Sequence, residues 1–239
     1  MNKIVDKIIN SIEDIGITIS DNQAEQLYSY YEVLIEKNKV MNLTAITEFD
    51  DVVIKHFADS LYISEIIEMQ NVVNMIDVGT GAGFPGIPIK IVFPNIKVTL
   101  LDSLNKRVNF LNEVIDNLGL TGIEAVHGRA EDFGKNPEYR EKYELCVSRA
   151  VANLSSLSEY CIPFVSQNGM FVSYKAGDCE EEIDKSKKAI KLLGGKIESI
   201  DEVELLDTDI SRVFVCIRKK EKTAKKYPRK AGLPAKEPL

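Results

Sequence analysis

The residues whose types and spacing could do chemistry are concentrated in the stretch Met75–Pro88. Three glycines stand there at alternate positions, Gly79, Gly81 and Gly83, directly after an apolar run that contains one acid, Asp77. Such a run is typical of a buried parallel strand, and glycines let the backbone turn tightly against a ligand because they lack a Cβ atom. The stretch therefore predicts a strand, a glycine loop and a helix start, which together open a nucleotide-type site in an α/β fold.

The residues around the predicted loop indicate which ligand it holds. The dinucleotide fingerprint G-x-G-x-x-G would need a glycine where this chain has Phe84, and the sequence contains no G-x-x-x-x-G-K-[ST] motif for phosphoryl transfer. Asp77 would repel a pyrophosphate and attract a cationic ligand. Asp102, at the end of the second predicted strand, is placed to accept both hydroxyls of a ribose. These features favour a phosphate-free, positively charged adenosine compound, and S-adenosylmethionine fits them.

From Val72 onward, predicted strands alternate with predicted helices, which is the signature of a parallel sheet. The chain is therefore expected to form an α/β fold with a seven-stranded, mostly parallel sheet and helices on both faces. No helix fits between the sixth and seventh strands, so the last strand should run antiparallel. The predicted strands are 73–78, 98–102, 122–127, 144–148, 170–175, 196–203 and 212–218, and the helices between them are 85–93, 105–118, 154–165 and 178–193.

Two further segments flank the predicted sheet domain, which covers residues 71–218. Residues 1–70 carry apolar side chains at helical spacing and are expected to form a helical N-terminal cap. Residues 219–239 are expected to form a basic C-terminal arm. The last 22 residues contain nine Lys and Arg and two Glu, a net charge of +7, whereas the whole chain carries −7. This asymmetry is typical either of nucleic-acid contact or of a solvated tail.

Other features limit the class of protein. No apolar run approaches the roughly 18 residues that a membrane-spanning helix needs, and the first residues do not resemble a signal peptide. The four cysteines lie far apart, without the spacing of a zinc site or a disulfide framework. We therefore expect a cytoplasmic protein with reduced, mostly buried thiols. His56 and Asp59 stand three apart on one predicted helix face, which indicates either a functional pair or a structural hydrogen bond.

Several motifs, in order and at compatible spacing from about Asn38 to Leu239, resemble those of the RsmG family, also called GidB or glucose-inhibited division protein B. They are M-N-L-T-A-I, K-H-F-A-D-S-L, D-V-G-T-G-A-G-F-P-G-I-P, L-D-S-L-N-K-R, G-R-A-E-D, S-R-A-V-A and K-K-Y-P-R-K-A-G-L-P. The resemblance implies a class I S-adenosylmethionine-dependent methyltransferase fold with a helical N-terminal cap. It also implies an enzyme that methylates N7 of a guanine in bacterial 16S ribosomal RNA.

The resemblance and the glycine loop together imply that nine residues bind S-adenosylmethionine. The product of the reaction would be S-adenosylhomocysteine. Leu104 would lie against the adenine face, the Ala130 N–H would donate to the adenine ring, and Glu131 would accept from its amine. Arg149 would pair either with the methionine carboxylate of the cofactor or with an RNA phosphate, and the sequence does not separate these. The nine residues are Gly79, Gly81, Phe84, Asp102, Ser103, Leu104, Ala130, Glu131 and Arg149.

The implied chemistry needs few protein groups. Guanine N7 carries a lone pair and no proton, so we expect direct in-line displacement promoted by positioning, with no catalytic acid or base and no metal. A cytosine-5 methyltransferase would instead need a cysteine nucleophile, and Cys146 is predicted to be buried and inert. A small-molecule methyltransferase that uses the helical cap as a lid is the alternative function, and a non-catalytic module that binds the cofactor is a third.

The implied RNA partner should meet basic residues. We expect Lys175, at the end of the fifth strand, and Lys225, Lys226 and Arg229 in the arm to contact RNA, while Tyr227 stacks on a base. Alternatively, each of these residues is an ordinary solvated residue without a role in RNA binding. The implied partner is 16S ribosomal RNA, either free or in a small-subunit assembly intermediate. No membrane contact is expected, and the protein is expected to be a monomer.

Overall fold

The computed structural model describes residues 2–149, 151–205 and 208–239 of the chain. The α-helices are α1 Asn2–Glu13, α2 Asp21–Met41, α3 Phe49–Val52, α4 Asp59–Leu61, α5 Gly86–Val92, α6 Asn105–Asn117, α7 Ala130–Phe133, α8 Leu154–Cys161, α9 Glu180–Leu192 and α10 Leu233–Lys236. The strands are β1 Asn74–Val78, β2 Lys97–Asp102, β3 Ile123–His127, β4 Tyr143–Arg149, β5 Val165–Ala176, β6 Gly195–Glu204 and β7 Ser211–Lys219. A π-helical segment, Val53–Ala58, connects α3 to α4, and 3-10 turns cover Tyr62–Glu65, Met69–Asn71 and Ile162–Phe164.

The seven strands form one sheet in the order β3-β2-β1-β4-β5-β7-β6. Strands β1 to β5 pair with one another in parallel. Strand β7 runs antiparallel to both β5 and β6. The predicted fold class is therefore confirmed, including the antiparallel last strand. Element bounds differ most near the fifth strand: α8 ends at Cys161, so β5 already begins at Val165, and the short helix α7 was not predicted.

Two apolar clusters cover the two faces of the sheet. Successive side chains of a strand point to opposite faces, so Met75 of β1 belongs to one cluster and Ile76 to the other. The first cluster also contains buried residues of α1, α2, α5 and α6, and the second contains buried residues of α8 and α9. The sheet therefore lies between two layers of helices, as predicted.

The N-terminal helices share an apolar cluster with α5 and α6, and the domain boundary at residue 70 stays a prediction. Helix α2 begins with a capping box in which Ser20 and Gln23 each accept a hydrogen bond from the backbone N–H of the other. The side chain of Gln23 also donates through Nε2 to the carbonyl oxygens of Ile91 and Val92, at 2.9 and 3.0 Å. These bonds fix α2 against the helix that follows the glycine loop.

The segment that follows β7 folds back onto the protein. Arg140 donates to the carbonyl oxygens of Thr223 and Tyr227, at 2.7 and 2.8 Å. The Ser156 hydroxyl of α8 donates to the carbonyl oxygen of Pro234 at 2.7 Å. The residues predicted to form a basic arm are thus anchored to the sheet domain at several points.

The sequence predicts no membrane-spanning helix and mostly buried, reduced thiols. Within the described residues, no helix is both long and apolar enough to cross a membrane. The four cysteines are free and buried, as predicted. Burial raises the pKa of the Cys146 thiol, which keeps the sulfur protonated and unreactive.

Candidate active site

Two cavities open at the carboxyl ends of the central strands, where open parallel sheets bind their ligands. The smaller has a volume of about 310 Å³ and the larger about 560 Å³. Gly79, Ser103 and Val151 line both. The two cavities therefore adjoin at the glycine loop, and together they are called the cleft.

The glycine loop has a backbone conformation that favours glycine. Gly79, Gly81 and Gly83 have φ angles of +73°, +63° and +102°, a left-handed region that residues with a Cβ atom rarely adopt. On the outer side of the loop, the buried Tyr30 of α2 donates a hydrogen bond to the carbonyl oxygen of Ala82. The N-terminal helices therefore help to fix the loop that the sequence predicted.

Asp77 lies in β1, directly before the glycine loop, as predicted. Its side chain is fully buried beneath the loop and lines neither cavity. Oδ2 accepts from the Thr80 hydroxyl at 2.7 Å and from the Gly86 N–H at 2.9 Å, while Oδ1 has no partner among the described residues. Burial raises the pKa of this carboxyl to about 7. The side chain thus stabilises the loop from behind, and the expected effect of its charge on the ligand stays a prediction.

Asp102 fixes the loop from the β2 side and lines the larger cavity. Its Oδ2 accepts from the Gly81 N–H and its Oδ1 from the Leu104 N–H, both at 2.9 Å. A Cβ atom added to Gly81 would have no heavy atom within 4 Å, so the space beside it is open. The Leu104 side chain lines neither cavity and is 43% exposed, and its contact with adenine stays a prediction.

The smaller cavity combines apolar walls with one acidic and one basic residue, Glu131 and Arg129. Helix α7 brings Ala130 and Glu131 to the cavity, and Tyr160 of α8 lines it from another side. Oε1 of Glu131 accepts a hydrogen bond of 2.8 Å from the N–H of Gly232, which also lines the cavity. A flat ring with an amine at its edge suits this lining, because a carboxylate accepts from an amine.

A buried cluster of charged side chains forms a wall of the larger cavity. Asp59 of α4 is fully buried. It accepts from Arg149 Nη1 at 2.7 Å and, through both oxygens, from Arg212 at 2.7 and 2.8 Å. All three residues line the cavity. One carboxylate and two guanidinium groups leave a net positive charge, which favours an anionic group in this cavity.

His56 lies in the same wall and stacks on Phe84, with the ring centroids 4.4 Å apart. Arg149 lies over the Phe84 ring, 5.0 Å from its centroid. Burial, and then the charge of Arg149, lower the pKa of His56 to about 4, so the imidazole is neutral near pH 7. Its Nε2 lies 2.8 Å from the hydroxyl oxygen of Thr44. Both His56 and Asp59 thus face the cleft, and Arg149 contacts each of them.

The residues predicted to bind RNA fall into three groups. Lys225 and Lys226 are exposed. Lys175 and Arg229 each form an ion pair with a glutamate, at 2.6 and 2.7 Å. Tyr227 is only 6% exposed and belongs to the second apolar cluster. The expectation that Tyr227 stacks on a base is therefore not met, because its ring is packed inside the protein.

The cleft fits S-adenosylmethionine by size and by the chemistry of its lining. Both cavities lie in the size range of ligand pockets. Glu131 would accept from the adenine amine, Asp102 from the ribose hydroxyls, and Arg149 would donate to a carboxylate. A Cβ atom on Gly79 would lie 2.7 Å from Val151 Cγ2. This close approach and a φ of +73° both favour glycine at the point where the two cavities adjoin.

Several residues of the cleft were missed by reasoning from the sequence. They include Val151 and Gly232 in the smaller cavity and Thr44 and Arg212 in the larger. Gly232 and Thr44 stand in the motifs K-A-G-L-P and M-N-L-T-A-I, which were the available signal for them. Arg212 has no such signal, because only the sheet order brings the start of β7 to the helix that carries Asp59.

Comparisons with known proteins identify relatives over the full length of the chain. The sequence model of the GidB family, described as rRNA small subunit methyltransferase G, matches residues 23–211. Ribosomal RNA small subunit methyltransferase G of Acetivibrio thermocellus is 52% identical over 232 residues, which cover 97% of this chain and 95% of that protein. The protein of the same name from Desulforamulus reducens is 50% identical over 239 residues and matches 100% of both chains.

Solved structures with much lower identity share the fold. Precorrin-6y C5,15-methyltransferase of Geobacter metallireducens has a TM-score of 0.50 at 13% identity, covering 76% of this chain and 92% of that chain. The fibrillarin pre-rRNA processing protein of Methanococcus jannaschii has a TM-score of 0.53 at 16% identity, covering 69% and 74%. TYW2 of P. horikoshii, solved in complex with MeSAdo, has a TM-score of 0.51 at 17% identity, covering 65% and 61%. The fold of this chain is thus that of the class I methyltransferases.

Proposed function

The chain belongs to the GidB family of small-subunit ribosomal RNA methyltransferases, and we propose that it transfers the methyl group of S-adenosylmethionine to N7 of a guanine in 16S ribosomal RNA. The family description and the names of its relatives specify methyl transfer to ribosomal RNA of the small subunit. The proposal adds the methyl donor and the acceptor atom. One protein of the same fold, TYW2 of P. horikoshii, was solved in complex with MeSAdo, which supports an adenosine-based donor.

The observation that carries the proposal is a single cleft with two chemically different ends. The smaller end offers Glu131 and an apolar wall, which suit an adenine ring. The larger end offers Arg149 and Arg212 beside Asp59, which suit anionic groups. With adenosine in the smaller end, the sulfonium of the donor would lie at the glycine loop and its methyl group would face the larger end. The larger end then receives the target base.

The chain does not need to remove a proton in this reaction. The donor supplies an electrophilic methyl group, and guanine N7 attacks it with a lone pair, so catalysis comes from positioning and several kcal/mol of the barrier can be removed in this way. Among the described residues, the carboxylates and the imidazole that line the larger cavity, where the base would bind, all have protein partners. Asp59 is paired with two arginines, Asp102 accepts two backbone N–H groups, and His56 is bonded to Thr44. An acceptor without a proton suits such a site.

Arg149 serves the carboxylate of the donor in this arrangement. Its guanidinium lies over the ring of Phe84, a residue of the glycine loop, and it is therefore close to where the amino-acid part of the donor would bind. The bond from Nη1 to Asp59 fixes the planar group in place. A planar, fixed guanidinium is suited to bidentate contact with a carboxylate.

The RNA approaches the open side of the cleft. Arg107 and Arg129 line the larger and smaller cavities, respectively. Lys225 and Lys226 are exposed on the C-terminal segment. These cations would bind phosphates and give an affinity that falls with salt. The protein would act on its substrate as a monomer in the cytoplasm.

The proposal is tested by methylation in vitro. The purified protein is incubated with S-adenosylmethionine carrying a labelled methyl group and with 16S ribosomal RNA, free or in small subunits from cells that lack this gene. N7-methylguanosine is then located by borohydride reduction and aniline cleavage of the RNA. We expect label in RNA at one guanine, with cleavage at that position.

Three outcomes would contradict the proposal. Label in RNA without aniline cleavage would place the methyl group on another atom. Label only in small molecules from a cell extract would favour the alternative of a small-molecule methyltransferase. A synthetic RNA with 7-deazaguanosine at the target position is the matched control, since it lacks the nucleophile, and methylation of that RNA would refute N7 as the acceptor.

A further inference from the structure

The geometry points to a role for the C-terminal segment 227–239 in binding the methyl donor: Gly232 orients Glu131 at the smaller cavity, and the Glu159–Arg229 ion pair holds the segment in that position. The inference rests on the proposed function, because it takes the adenine of S-adenosylmethionine as the occupant of the smaller cavity. It gives Arg229 a positioning role in place of the RNA contact expected from the sequence.

The C-terminal segment contacts the smaller cavity through Gly232. Gly232 lines the smaller cavity, and its N–H donates to Glu131 Oε1 at 2.8 Å. Glu131 is largely buried, and among the described residues Gly232 is the donor that holds its carboxylate. Oε2 then stays available to accept from an adenine amine. Gly232 has a φ of +80°, a conformation that glycine adopts at low cost.

The ion pair between Glu159 and Arg229 anchors the segment to α8. Glu159 of α8 is fully buried and accepts from Arg229 through the backbone N–H at 2.6 Å, Nε at 3.0 Å and Nη2 at 2.7 Å. Among the described residues, Arg229 provides every hydrogen bond to this carboxylate. A buried charge with one partner makes that partner indispensable for its position. Nη2 of Arg229 also donates to the carbonyl oxygen of Glu237 at 2.7 Å, which ties the end of the segment to the same anchor.

The contacts of Arg229 distinguish a role in anchoring the segment from a role in binding RNA. Nε and Nη2 of Arg229 donate to Glu159 and Glu237, whereas the next residue, Lys230, is exposed and carries the same charge. If the segment served RNA alone, the two cations would contribute alike through their charge. If the segment completes the donor site, only Arg229 affects the binding of the adenosine compound.

The experiment measures binding of S-adenosylhomocysteine by calorimetry to the full-length wild-type protein and to three variants. Arg229→Gln breaks the ion pair, and Lys230→Gln is the control with the same change in charge. Glu159→Gln combined with Arg229→Gln removes both charges, so no unpaired charge stays buried and the fold is retained. Steady-state KM values for S-adenosylmethionine and for RNA are measured in parallel, together with thermal unfolding of each protein without ligand.

We expect the single Arg229 variant and the double variant to bind S-adenosylhomocysteine roughly tenfold more weakly, the loss typical of one hydrogen bond to a charged group. Their KM for S-adenosylmethionine should rise in proportion, while their KM for RNA should change no more than that of Lys230→Gln. The control should bind S-adenosylhomocysteine like the wild type. A role limited to folding would lower the unfolding temperature without this split between the two KM values.

A fourth variant tests the cavity end of the segment directly. Gly232→Ala leaves the anchor intact and adds a Cβ atom that meets no heavy atom within 4 Å, so it strains only the left-handed backbone. It should also weaken S-adenosylhomocysteine binding. Unchanged binding in both the double variant and Gly232→Ala, while the wild type binds, would overturn this inference and leave the proposed function standing. Absence of binding by the wild type would refute the proposed donor itself.

Discussion

The two ends of the cleft use the same device for different purposes. Each depends on a fully buried carboxylate, Asp59 at the larger cavity and Glu159 behind the smaller one, and each carboxylate is held by arginine. Asp59 holds two arginines that both line the cavity, Arg149 and Arg212. Glu159 holds only Arg229, which lines neither cavity.

The difference shows how charge is distributed in a protein whose net charge is −7. At the larger cavity, two guanidinium groups share one carboxylate, so positive charge is exposed where the reacting groups would meet. At the smaller cavity, the ion pair is neutral and its effect is positional. Substitutions at the larger cavity should therefore change stability, donor binding and methyl transfer together, whereas removal of both charges of the Glu159–Arg229 pair should change mainly the donor affinity.

The largest effect is expected for Asp59→Asn. The substitution leaves two buried guanidinium groups without a carboxylate, which typically costs about 3–5 kcal/mol of unfolding free energy. Urea unfolding measures this loss, and methyl transfer should fall with it. Asp51→Asn is the matched control, because Asp51 pairs with Lys55 on the protein surface at 2.7 Å and such pairs contribute about 0.5 kcal/mol. Equal losses for both variants would show that the Asp59 cluster has no special role.

Arg149→Lys tests the reacting end more locally. Lysine keeps the charge but has no planar fork, so it cannot hold Asp59 and a ligand carboxylate in the same geometry. We expect kcat/KM to fall about a hundredfold, equivalent to the loss of roughly 2.7 kcal/mol of transition-state stabilisation. Arg107→Lys is the comparison, since Arg107 is 3.4 Å from Asp102 and half-exposed. Since both substitutions keep the positive charge, a similar loss for both would show that the planar guanidinium of Arg149 has no special role.

The sheet could be predicted from the sequence because its signals are local. Apolar runs mark the strands, and the glycine loop marks the turn after β1. The contents of the larger cavity could not be predicted in the same way, because Asp59, Arg149 and Arg212 are brought together only by the order of the sheet and the packing of the N-terminal helices. Asp77 is an example in which the position in the sequence was clear but the orientation was not. It stands before the glycine loop, and the sequence did not reveal that the side chain lies beneath that loop.

Asp77→Asn should change the dependence of stability on pH. The unfolded carboxyl loses its proton above its ordinary pKa of 3.8, whereas the folded carboxyl keeps it up to about pH 7. Between these values the folded state binds more protons, so this group lowers stability as the pH rises towards 7. The stability of the variant relative to the wild type should increase by about 2 kcal/mol from pH 5.5 to 7.5 in urea unfolding. A constant difference between the two proteins would refute this.

His56→Gln should have a smaller effect on turnover. Glutamine keeps a polar group near Thr44 but loses the stacking on Phe84, so we expect kcat to fall less than about tenfold, in keeping with a residue that does not transfer a proton. Titration of His56 should also leave the wild-type kcat unchanged between pH 6 and 8, because the pKa of His56 is about 4. Abolished turnover with intact binding of donor and RNA would show that the reaction needs a base.

The smallest effect is expected for Lys225→Gln combined with Lys226→Gln. Both side chains are exposed, so their contribution to RNA binding is electrostatic. The slope of log K against log salt should become less steep by about 1.4, as for two phosphate contacts with single-stranded RNA. Binding of S-adenosylhomocysteine should not change. An unchanged slope would place the RNA on another face of the protein.

The most direct test of the central claim is a crystal structure of the protein with S-adenosylhomocysteine. We predict that the adenine occupies the smaller cavity beside Glu131 and that the sulfur lies at Gly79, directed into the larger cavity. Electron density for the adenine in the larger cavity, between Arg149 and Arg212, would contradict the assignment of donor and acceptor to the two ends of the cleft.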